Sequence, residues 1–527
     1  MTLLRHVRRL TFLLLGMIAL PLCLTASPQS YDLIIRGGIV VDGTGSPPKQ
    51  SDLGIRKDRV AAVGDLSGAS ANRVLNVQNL HIAPGFIDTH SHATPGLLRN
   101  ELRTAHALLA QGITTIFANP DGGGPVNLAT QRDQLENPGI GVNVAPFIPH
   151  GSVRRAVLGM QAREATPEEL ERMRGLVRAG MSEGAFGLSS GLYYAPGSYA
   201  PIGEVVELAK VVGEFGGSYQ SHIRDESDYS IGVVAAVDEV IQIARAAGIP
   251  GVVTHIKALG PRVWGDSEVI VDRISAARNE GVAVYADQYP YEASGTGIVG
   301  ALIPRWALAG GDEAFEARLQ NPRERAQLVE DIWENFDRRG GAERLVLQGG
   351  EYQGKSLAEV AATRGTDAVE ASLQLLKEGG PTSLVSFNMD DADIQRFMIQ
   401  PWMMTSSDGG LWVQGEGQPH PRGFGAFARR IGKFLIEDSI GTLEGTIRSM
   451  SGLPADVYKV DGRGTIEEGA YADIVVFDLK RFRDLATYDD PHKFSEGIEY
   501  ALVNGSLAID EGEFTDILAG TILKKAR

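Results

Sequence analysis

The amino-acid sequence predicts an α/β fold: a (β/α)8 TIM-like barrel with a small β-sandwich domain built from both chain ends. Strand-like and helical segments alternate from about residue 85 to about residue 430, and short alternating strands occupy both ends. Histidines and an aspartate stand at successive strand ends. The 527 residues suffice for a large barrel and a smaller second domain. We assign residues 84–455 to the barrel, and residues 31–83 and 456–527 to the two parts of the β-sandwich domain.

The first residues have the pattern of a secretory signal. Three arginines within the first nine residues precede an almost continuously apolar run, residues 10–26. Ala26 is the small residue that signal peptidase needs. We therefore predict a signal peptide over residues 1–26 and a secreted, periplasmic location, with an uncleaved anchor as the alternative. Cys23 is the only cysteine, so the cleaved chain has no disulfide and no thiolate ligand.

The charge balance excludes some partners. The chain has 50 Lys and Arg residues and 66 Asp and Glu residues, which gives a formal net charge of −16. Such an acidic chain is poorly suited to nucleic acid or anionic membranes, and no interior apolar run is long enough to span a bilayer. We expect a small-molecule substrate, no nucleic acid and no stable membrane association after signal cleavage. The oligomeric state is not indicated.

The terminal segments are predicted as short strands with turns. Residues 31–38 and 39–45 have the pattern of a hairpin pair, and residues 52–64 have the pattern of a second hairpin. The same style returns after about residue 460, with strands expected within 464–477 and 498–505.

The central region alternates between strands and helices. Strands are expected at 114–118, 187–190, 218–222, 251–255 and 283–287. Helices are expected at 99–111, 167–181, 202–215, 231–247 and 267–279. A charged helical stretch interrupts this rhythm, so we predict an insertion at about 296–345.

A His-x-His pair ends the first barrel strand. Side chains alternate along a strand, so His90 and His92 point the same way, with Asp88 beside them. Two such imidazoles can bind one metal ion. The pair alone is weak evidence, because His-x-His also occurs by chance.

Four further candidates follow at later strand ends: Asp121, His222, His255 and Asp408. Asp121 precedes three glycines and could be only a turn residue, and a single strand-end histidine is often a packing residue. Together they favour one metal centre, because active sites of these barrels collect at the C-terminal strand ends. Imidazole and carboxylate ligands suit zinc, which makes water reactive near neutral pH.

Several longer motifs resemble the D-aminoacylase (N-acyl-D-amino-acid deacylase) family of the amidohydrolase superfamily. They are residues 85–92, 187–197, 287–291, 407–409 and 420–425. The resemblance covers nearly the whole chain after the signal. It implies a zinc-dependent hydrolase with one or two ions per subunit, which cleaves the amide bond of N-acyl-D-amino acids by attack of metal-activated hydroxide.

The resemblance also implies roles for single residues. His90 and His92 bind one metal position, His222 and His255 bind the other, and Asp408 is the catalytic acid and base. By the same likeness, residues that hold the substrate carboxylate are Lys257, Tyr289 and Arg422. The alternatives are a surface charge for the lysine, barrel packing for the tyrosine and a structural ion pair for the arginine.

One position departs from the family pattern. The D-aminoacylases carry a metal-binding cysteine in a Gly-Asn-Cys-Gly run after the second strand, and Asp121 occupies that position here by count. A carboxylate can bridge two zinc ions, so we also expect Asp121 and Asp408 among the metal ligands. The departure leaves the narrow substrate class open. The alternatives are a dipeptidase or cyclic-amide hydrolase of the same superfamily, or a non-catalytic barrel that binds a ligand.

Overall fold

The computed structural model describes residues 30–526, and the predicted signal peptide lies outside the described residues. Eight parallel strand positions form a barrel, and the third is interrupted at Phe147. In order, they are Phe86–Asp88, Ile113–Ala118, Asn143–Pro146 with Ile148–Pro149, Gly187–Gly191, Ser218–His222, Gly251–Val253, Val284–Gln288 and Met403–Thr405. The eighth strand position meets the first where Asp408 N donates a 2.9 Å hydrogen bond to His90 O. The predicted barrel is therefore confirmed.

The barrel strands are buried on both faces. All six residues of Ile113–Ala118 are buried, as expected for a parallel sheet covered by helices. The covering helices are amphipathic, and Val233–Ala247 buries Val237 and Val240 against the strands. Pro167–Ser182 begins with a capping box between Thr166 and Glu169, which satisfies free backbone donors.

The helices around the barrel and after its last strand fall close to several predicted segments. They are Thr94–Leu97, His106–Leu109, Leu128–Glu136, His150–Leu158, Pro167–Ser182, the 3₁₀ turn Gly197–Tyr199, Ile202–Gly213, Val233–Ala247, Ser267–Asn279, Asp391–Met398, Arg422–Arg429, the π-helical Arg430–Glu437, Leu443–Met450 and Gly452–Tyr458. The helix predicted over 99–111 is wrong. Ala105 has a left-handed backbone with φ of 59°, which a continuing helix cannot accommodate.

Both chain ends build one connected sheet of nine strands, which confirms the predicted terminal β domain. The strands are Ser30–Val40, Lys49–Arg56, Arg59–Gly64, Ser70–Asn76, His81–Pro84, Ile474–Phe477, Ile498–Val503, Ser506–Asp510 and Glu513–Phe514. The two ends join where His81–Pro84 pairs antiparallel with Ile474–Phe477.

The first predicted hairpin of this domain is wrong. Residues 31–45 do not fold back, because Ser30–Val40 is one strand that pairs with Lys49–Arg56 on both sides of an irregularity between Ile35 and Gly38. Gly37 lies within that irregularity with φ of 78°. The glycine pair therefore marks a bulge rather than a turn.

The inserted segment forms its own layer beside the barrel. Its antiparallel sheet joins Ser294–Gly297, Ser383–Ser386 and Leu345–Leu347. Its helices are Ile298–Leu302, Asp312–Gln320, Pro322–Arg338, Leu357–Arg364 and Ala368–Glu378, with 3₁₀ turns Arg305–Leu308 and Ala342–Arg344. The segment reaches Ser386 and is therefore longer than the predicted 296–345. Among residues 30–526, no helix has both the length and the apolar character needed to cross a membrane.

Candidate metal centre and active site

The metal-ligand candidates lie together at the C-terminal end of the barrel. His90 and His92 follow the first strand, Asp121 follows the second, and Asp408 follows the eighth. His222 ends the fifth strand, and His255 follows the sixth. Three of these residues have left-handed backbones, with φ of 54° at Asp121, 36° at His255 and 48° at Asp408. Such conformations are unfavourable for non-glycine residues and are concentrated at functional sites.

Asp121 lies at the centre of the four histidines. Its Oδ1 is 3.2 Å from His90 Nε2, 3.5 Å from His255 Nε2 and 3.7 Å from His222 Nδ1. Its Oδ2 is 3.3 Å from His92 Nε2. A turn residue does not need these contacts, so the structure favours the functional interpretation of Asp121 over the turn interpretation.

Asp408 faces the same histidines from the other side. Its Oδ1 is 3.1 Å from His92 Nε2 and 3.6 Å from His90 Nε2. Its Oδ2 is 2.7 Å from Arg422 Nη1. The carboxylate therefore bridges the histidine cluster and a buried guanidinium.

The donor set fits a divalent metal. Three overlapping groups bring their ligand atoms within 4.8 Å of one another: His90, Asp121 and His255; His90, His92 and Asp408; and His222, Glu226 and His255. His90 Nε2, Asp121 Oδ1 and His222 Nε2 are buried yet have no hydrogen-bond partner within residues 30–526. Buried polar atoms are normally paired. Converging lone pairs of imidazole and carboxylate suit zinc.

Charges at the site are strongly coupled. Burial opposes ionisation of Asp121 and Asp408, but the His90 ring beside the first and the Arg422 guanidinium beside the second hold both pKa values well below the ordinary range. Partial desolvation opposes the charge on His92, whose side chain is 43% exposed, but its hydrogen bonds to both carboxylates raise the pKa of His92 to about 10. A bound cation would replace such protons as the counter-charge.

The remaining histidines differ in their neighbours. Burial lowers the pKa of His222 to about 3, despite the opposing charge of Glu226. Burial and the charge of Lys257 both act to lower the pKa of His255. The nearby carboxylates, led by Asp408, outweigh them and raise the pKa of His255 to about 9. A low-pKa imidazole has its lone pair free near neutral pH, which is the form that binds a metal.

Glu226 belongs to the site although the sequence did not identify it. Its Oε1 accepts a 2.5 Å hydrogen bond from Lys257 Nζ and lies 3.1 Å from His255 Nδ1, and its Oε2 lies 3.7 Å from His222 Nε2. Glu226 is only 6% exposed. The one sequence feature that could have identified Glu226 is its position four residues after His222.

The three predicted carboxylate-binding residues lie together. The Tyr289 ring centroid is 4.7 Å from Arg422 Cζ and 5.7 Å from Lys257 Nζ. Lys257 is only 5% exposed, which excludes a surface charge. Each cation also has a carboxylate partner on the protein: Asp408 for the arginine and Glu226 for the lysine.

A second layer of acids fixes the backbone of the site. Asp88 accepts hydrogen bonds from Ser407 N at 2.8 Å and from Ser407 Oγ at 2.5 Å. Asp287 accepts 2.8 Å hydrogen bonds from His255 N and from Ser406 Oγ. These contacts hold the loops that carry Asp408 and His255 in place.

A cavity of about 850 Å³ opens onto this cluster. Eight of the nine predicted site residues line it, and the ninth, His90, contacts Asp121 at its base. The inserted segment supplies part of the wall, including Gly295, Thr296 and Arg339. The volume is sufficient for a small acylated amino acid.

Comparison with known proteins is consistent with this geometry. A model of the amidohydrolase family matches residues 308–509. The chain is similar to N-acyl-D-glutamate deacylase of Alcaligenes xylosoxydans xylosoxydans, with 35% identity over 505 residues that cover 90% of this chain and 93% of that protein. It is 33% identical to D-aminoacylase of the same organism over 520 residues, which cover 94% and 98% of the two chains.

A solved structure shares the fold. The chain matches the crystal structure of N-acyl-D-glutamate deacylase from Bordetella bronchiseptica, complexed with zinc and a phosphonate that mimics the tetrahedral intermediate. The TM-score is 0.80 at 31% identity, over 94% of this chain and 100% of that chain. The chain therefore belongs to the D-aminoacylase family of the amidohydrolase superfamily.

Proposed function

We propose that this protein is a zinc-dependent hydrolase that cleaves the amide bond of N-acyl-D-amino acids. One observation carries the proposal: a set of metal ligands and the buried cations Lys257 and Arg422 face one cavity of about 850 Å³. An N-acyl amino acid has both groups that such a cavity can bind, an amide and a carboxylate. The similar N-acyl-D-amino-acid deacylases support the D configuration.

The ligand sets divide between two metal positions. His90 and His92 would hold one ion, His222 and His255 would hold the other, and Asp121 lies between them. When bound, zinc supplies Lewis-acid polarisation of the amide carbonyl and activation of water near neutral pH.

Asp408 is proposed to move the proton. Asp408 is ionised near neutral pH, and its carboxylate is proposed to accept the proton of the attacking water. As water adds to the acyl carbon and the carbon–nitrogen bond breaks, Asp408 returns the proton to the leaving amine. Arg422 Nη1, at 2.7 Å from Oδ2, holds the carboxylate in the required position.

Arg422, Lys257 and Tyr289 are proposed to anchor the α-carboxylate of the substrate. A guanidinium has five N–H donors, so Arg422 can keep its ion pair with Asp408 and donate to a second carboxylate. Lys257 has three donors and can likewise retain Glu226. The Tyr289 ring packs against both cations, and its hydroxyl, which donates to Met389 Sδ at 4.0 Å, is proposed as a neutral donor to the substrate.

Hydrolysis of a matched substrate panel tests the function. The panel contains N-acetyl amino acids in both configurations, dipeptides in both configurations and cyclic amides, each with zinc-loaded and chelator-treated enzyme. The proposal predicts cleavage of N-acetyl-D-amino acids, with L isomers much slower and activity lost on chelation. Preference for dipeptides or cyclic amides would favour another branch of the superfamily, and ligand binding without turnover would favour the non-catalytic alternative.

We further propose a secreted, periplasmic location. The support is the arginine-rich start and the apolar run over residues 10–26. Fractionation of a Gram-negative host that expresses the full chain, with N-terminal sequencing of the product, tests this point. An uncleaved product in the membrane fraction would contradict it.

A further inference from the structure

The inserted segment places one buried cation on the cavity wall. Arg339 follows the helix Pro322–Arg338, is only 2% exposed and lines the cavity. Its Nε donates a 3.2 Å hydrogen bond to Ala301 O, and its Nη1 donates a 3.4 Å hydrogen bond to Ser386 Oγ. Both acceptors are neutral, so they do not balance the charge of the guanidinium.

Arg339 differs from the other buried cations of this cavity. Lys257 and Arg422 each have a carboxylate partner, whereas Arg339 forms no salt bridge with any described residue. Its further neighbours are aromatic, including Tyr229, with a ring centroid 5.9 Å away. A buried charge without a counter-ion is costly. An anionic ligand in the cavity would remove that cost.

Contacts that involve Tyr193 connect Arg339 to the metal-ligand candidates. The ring centroid of Tyr193 is 5.5 Å from that of His222, and its hydroxyl donates a 2.9 Å hydrogen bond to Gly300 O. The next residue, Ala301, accepts from Arg339. A short chain of contacts through Tyr193 and residues 300 and 301 therefore links Arg339 to His222.

The cavity mouth has a second cation without an acidic partner. Arg155 is exposed, lines the cavity and forms no salt bridge within residues 30–526. The whole chain has a formal net charge of −16, so these arginines give the cavity a local charge opposite to that of the protein. Such a local field attracts anionic substrates.

We propose that Arg339 receives a second carboxylate of the substrate, in addition to the α-carboxylate. This proposal rests on the proposed function and narrows its substrate class to N-acyl-D-amino acids that have another carboxylate. The carboxylate can belong to the amino-acid side chain or to the acyl group, because both carry the same chemistry.

Two isosteric substrate pairs test the proposal. N-acetyl-D-glutamate is compared with N-acetyl-D-glutamine, and N-succinyl-D-leucine is compared with N-succinamoyl-D-leucine, in which the terminal carboxylate of the acyl group is replaced by an amide. For one pair, the wild-type enzyme should favour the dicarboxylate by about tenfold or more in kcat/KM, as expected for a desolvated charge pair. The pair that shows the preference identifies the source of the carboxylate.

The variants assign the preference to Arg339. Arg339→Met should bring the kcat/KM ratio of that pair close to one, and Arg339→Lys should retain part of it. Arg305→Met is the matched control, because Arg305 also donates to carbonyls of this segment and stacks on Tyr193, 3.7 Å from its ring centroid, without lining the cavity. This control should keep the wild-type ratio.

Three results would overturn the proposal. A wild-type ratio near one for both pairs would exclude a second carboxylate site, and this result does not depend on the folding of any variant. A ratio that survives Arg339→Met would assign the preference elsewhere. Failure to cleave any N-acyl-D-amino acid, neutral or acidic, would instead disprove the proposed function on which this inference rests.

Discussion

The two ends of the barrel contain buried carboxylates in contrasting surroundings. At the C-terminal end, Asp121 lies among four histidines, and its Oδ1 has no hydrogen-bond partner in the described chain. At the opposite end, Asp473 accepts hydrogen bonds from Asn504 N at 2.7 Å and Asn143 Nδ2 at 3.0 Å, and it pairs with Arg463. The first carboxylate is left available to a ligand, and the second is satisfied by the protein.

The pKa of Asp121 is lowered whereas the pKa of Asp473 is raised, because their neighbours differ. Burial dominates at Asp473 and raises its pKa, although Arg463 acts against this effect. Burial is also the largest influence on Asp121, but His90 and the other imidazoles together outweigh it and lower the pKa. Burial alone therefore does not distinguish a structural acid from a functional one. The distinction comes from whether protein donors satisfy the acid.

The largest expected effect is on the proton transfer assigned to Asp408. Asp408→Asn keeps the shape of the side chain but cannot accept the proton, so kcat should fall by about 10²–10⁴-fold. Steady-state kinetics with the metal content matched to wild type measure this loss. Near-normal turnover in the metal-replete variant would remove Asp408 from the mechanism.

The opposite phenotype is expected at the other end of the barrel. Asp473→Ala leaves Arg463 buried and unpaired, so the free energy of unfolding should fall by roughly 3–5 kcal/mol. Activity per folded molecule should stay near wild type, because Asp473 is remote from the cavity. Denaturant unfolding together with an active-site titration separates the two quantities. Loss of activity in Asp473→Ala with an unchanged free energy of unfolding would contradict the structural role assigned to Asp473.

Arg422 should show a smaller and substrate-dependent effect. Arg422→Ala also removes the partner of Asp408, so some loss is expected on every substrate. The loss in kcat/KM should be greater by roughly 2–4 kcal/mol for a free α-carboxylate than for the matching α-amide. Equal losses on the acid and the amide would contradict carboxylate binding by Arg422.

The smallest expected effect is a pH dependence of stability. Folding raises the pKa of Asp473 above its ordinary value of 3.8, so the native state holds this proton more tightly than the unfolded state. The contribution is therefore fully present below 3.8 and is lost as the pH rises through the raised pKa. Asp473→Asn should flatten the pH dependence in that window. An unchanged slope in denaturant unfolding would argue against the raised pKa.

The sequence predicted the repetitive parts of the fold well. Hydrophobic periodicity located the helix Ser267–Asn279 and the strand Ser218–His222, because regular elements repeat a local pattern. It failed at residues 99–111, where the left-handed Ala105 interrupts an otherwise helical composition. It also failed at Gly37, where a bulge and a turn have the same glycine-rich signal.

In the candidate site, the residues at strand ends were predictable from the sequence, whereas those that depend on tertiary contacts were not. His90 and His92 were recognisable because metal ligands fall at strand ends. The structure brings eight of the nine candidates to the wall of one cavity and the ninth, His90, into contact with Asp121. Glu226 was missed because its role depends on contacts with Lys257 and His255, which lie about thirty residues away in the sequence. Arg339 was missed for a similar reason, since only tertiary packing brings it to the cavity.

The central claim is that Asp121 serves a metal centre rather than a turn. Elemental analysis of purified Asp121→Ala, beside wild type and Asp121→Cys, tests it most directly. We predict that Asp121→Ala loses bound zinc and activity together, while Asp121→Cys recovers zinc, because a thiolate is a good ligand for this ion. Full metal occupancy with normal turnover in Asp121→Ala would contradict the claim and leave Asp121 as a turn residue.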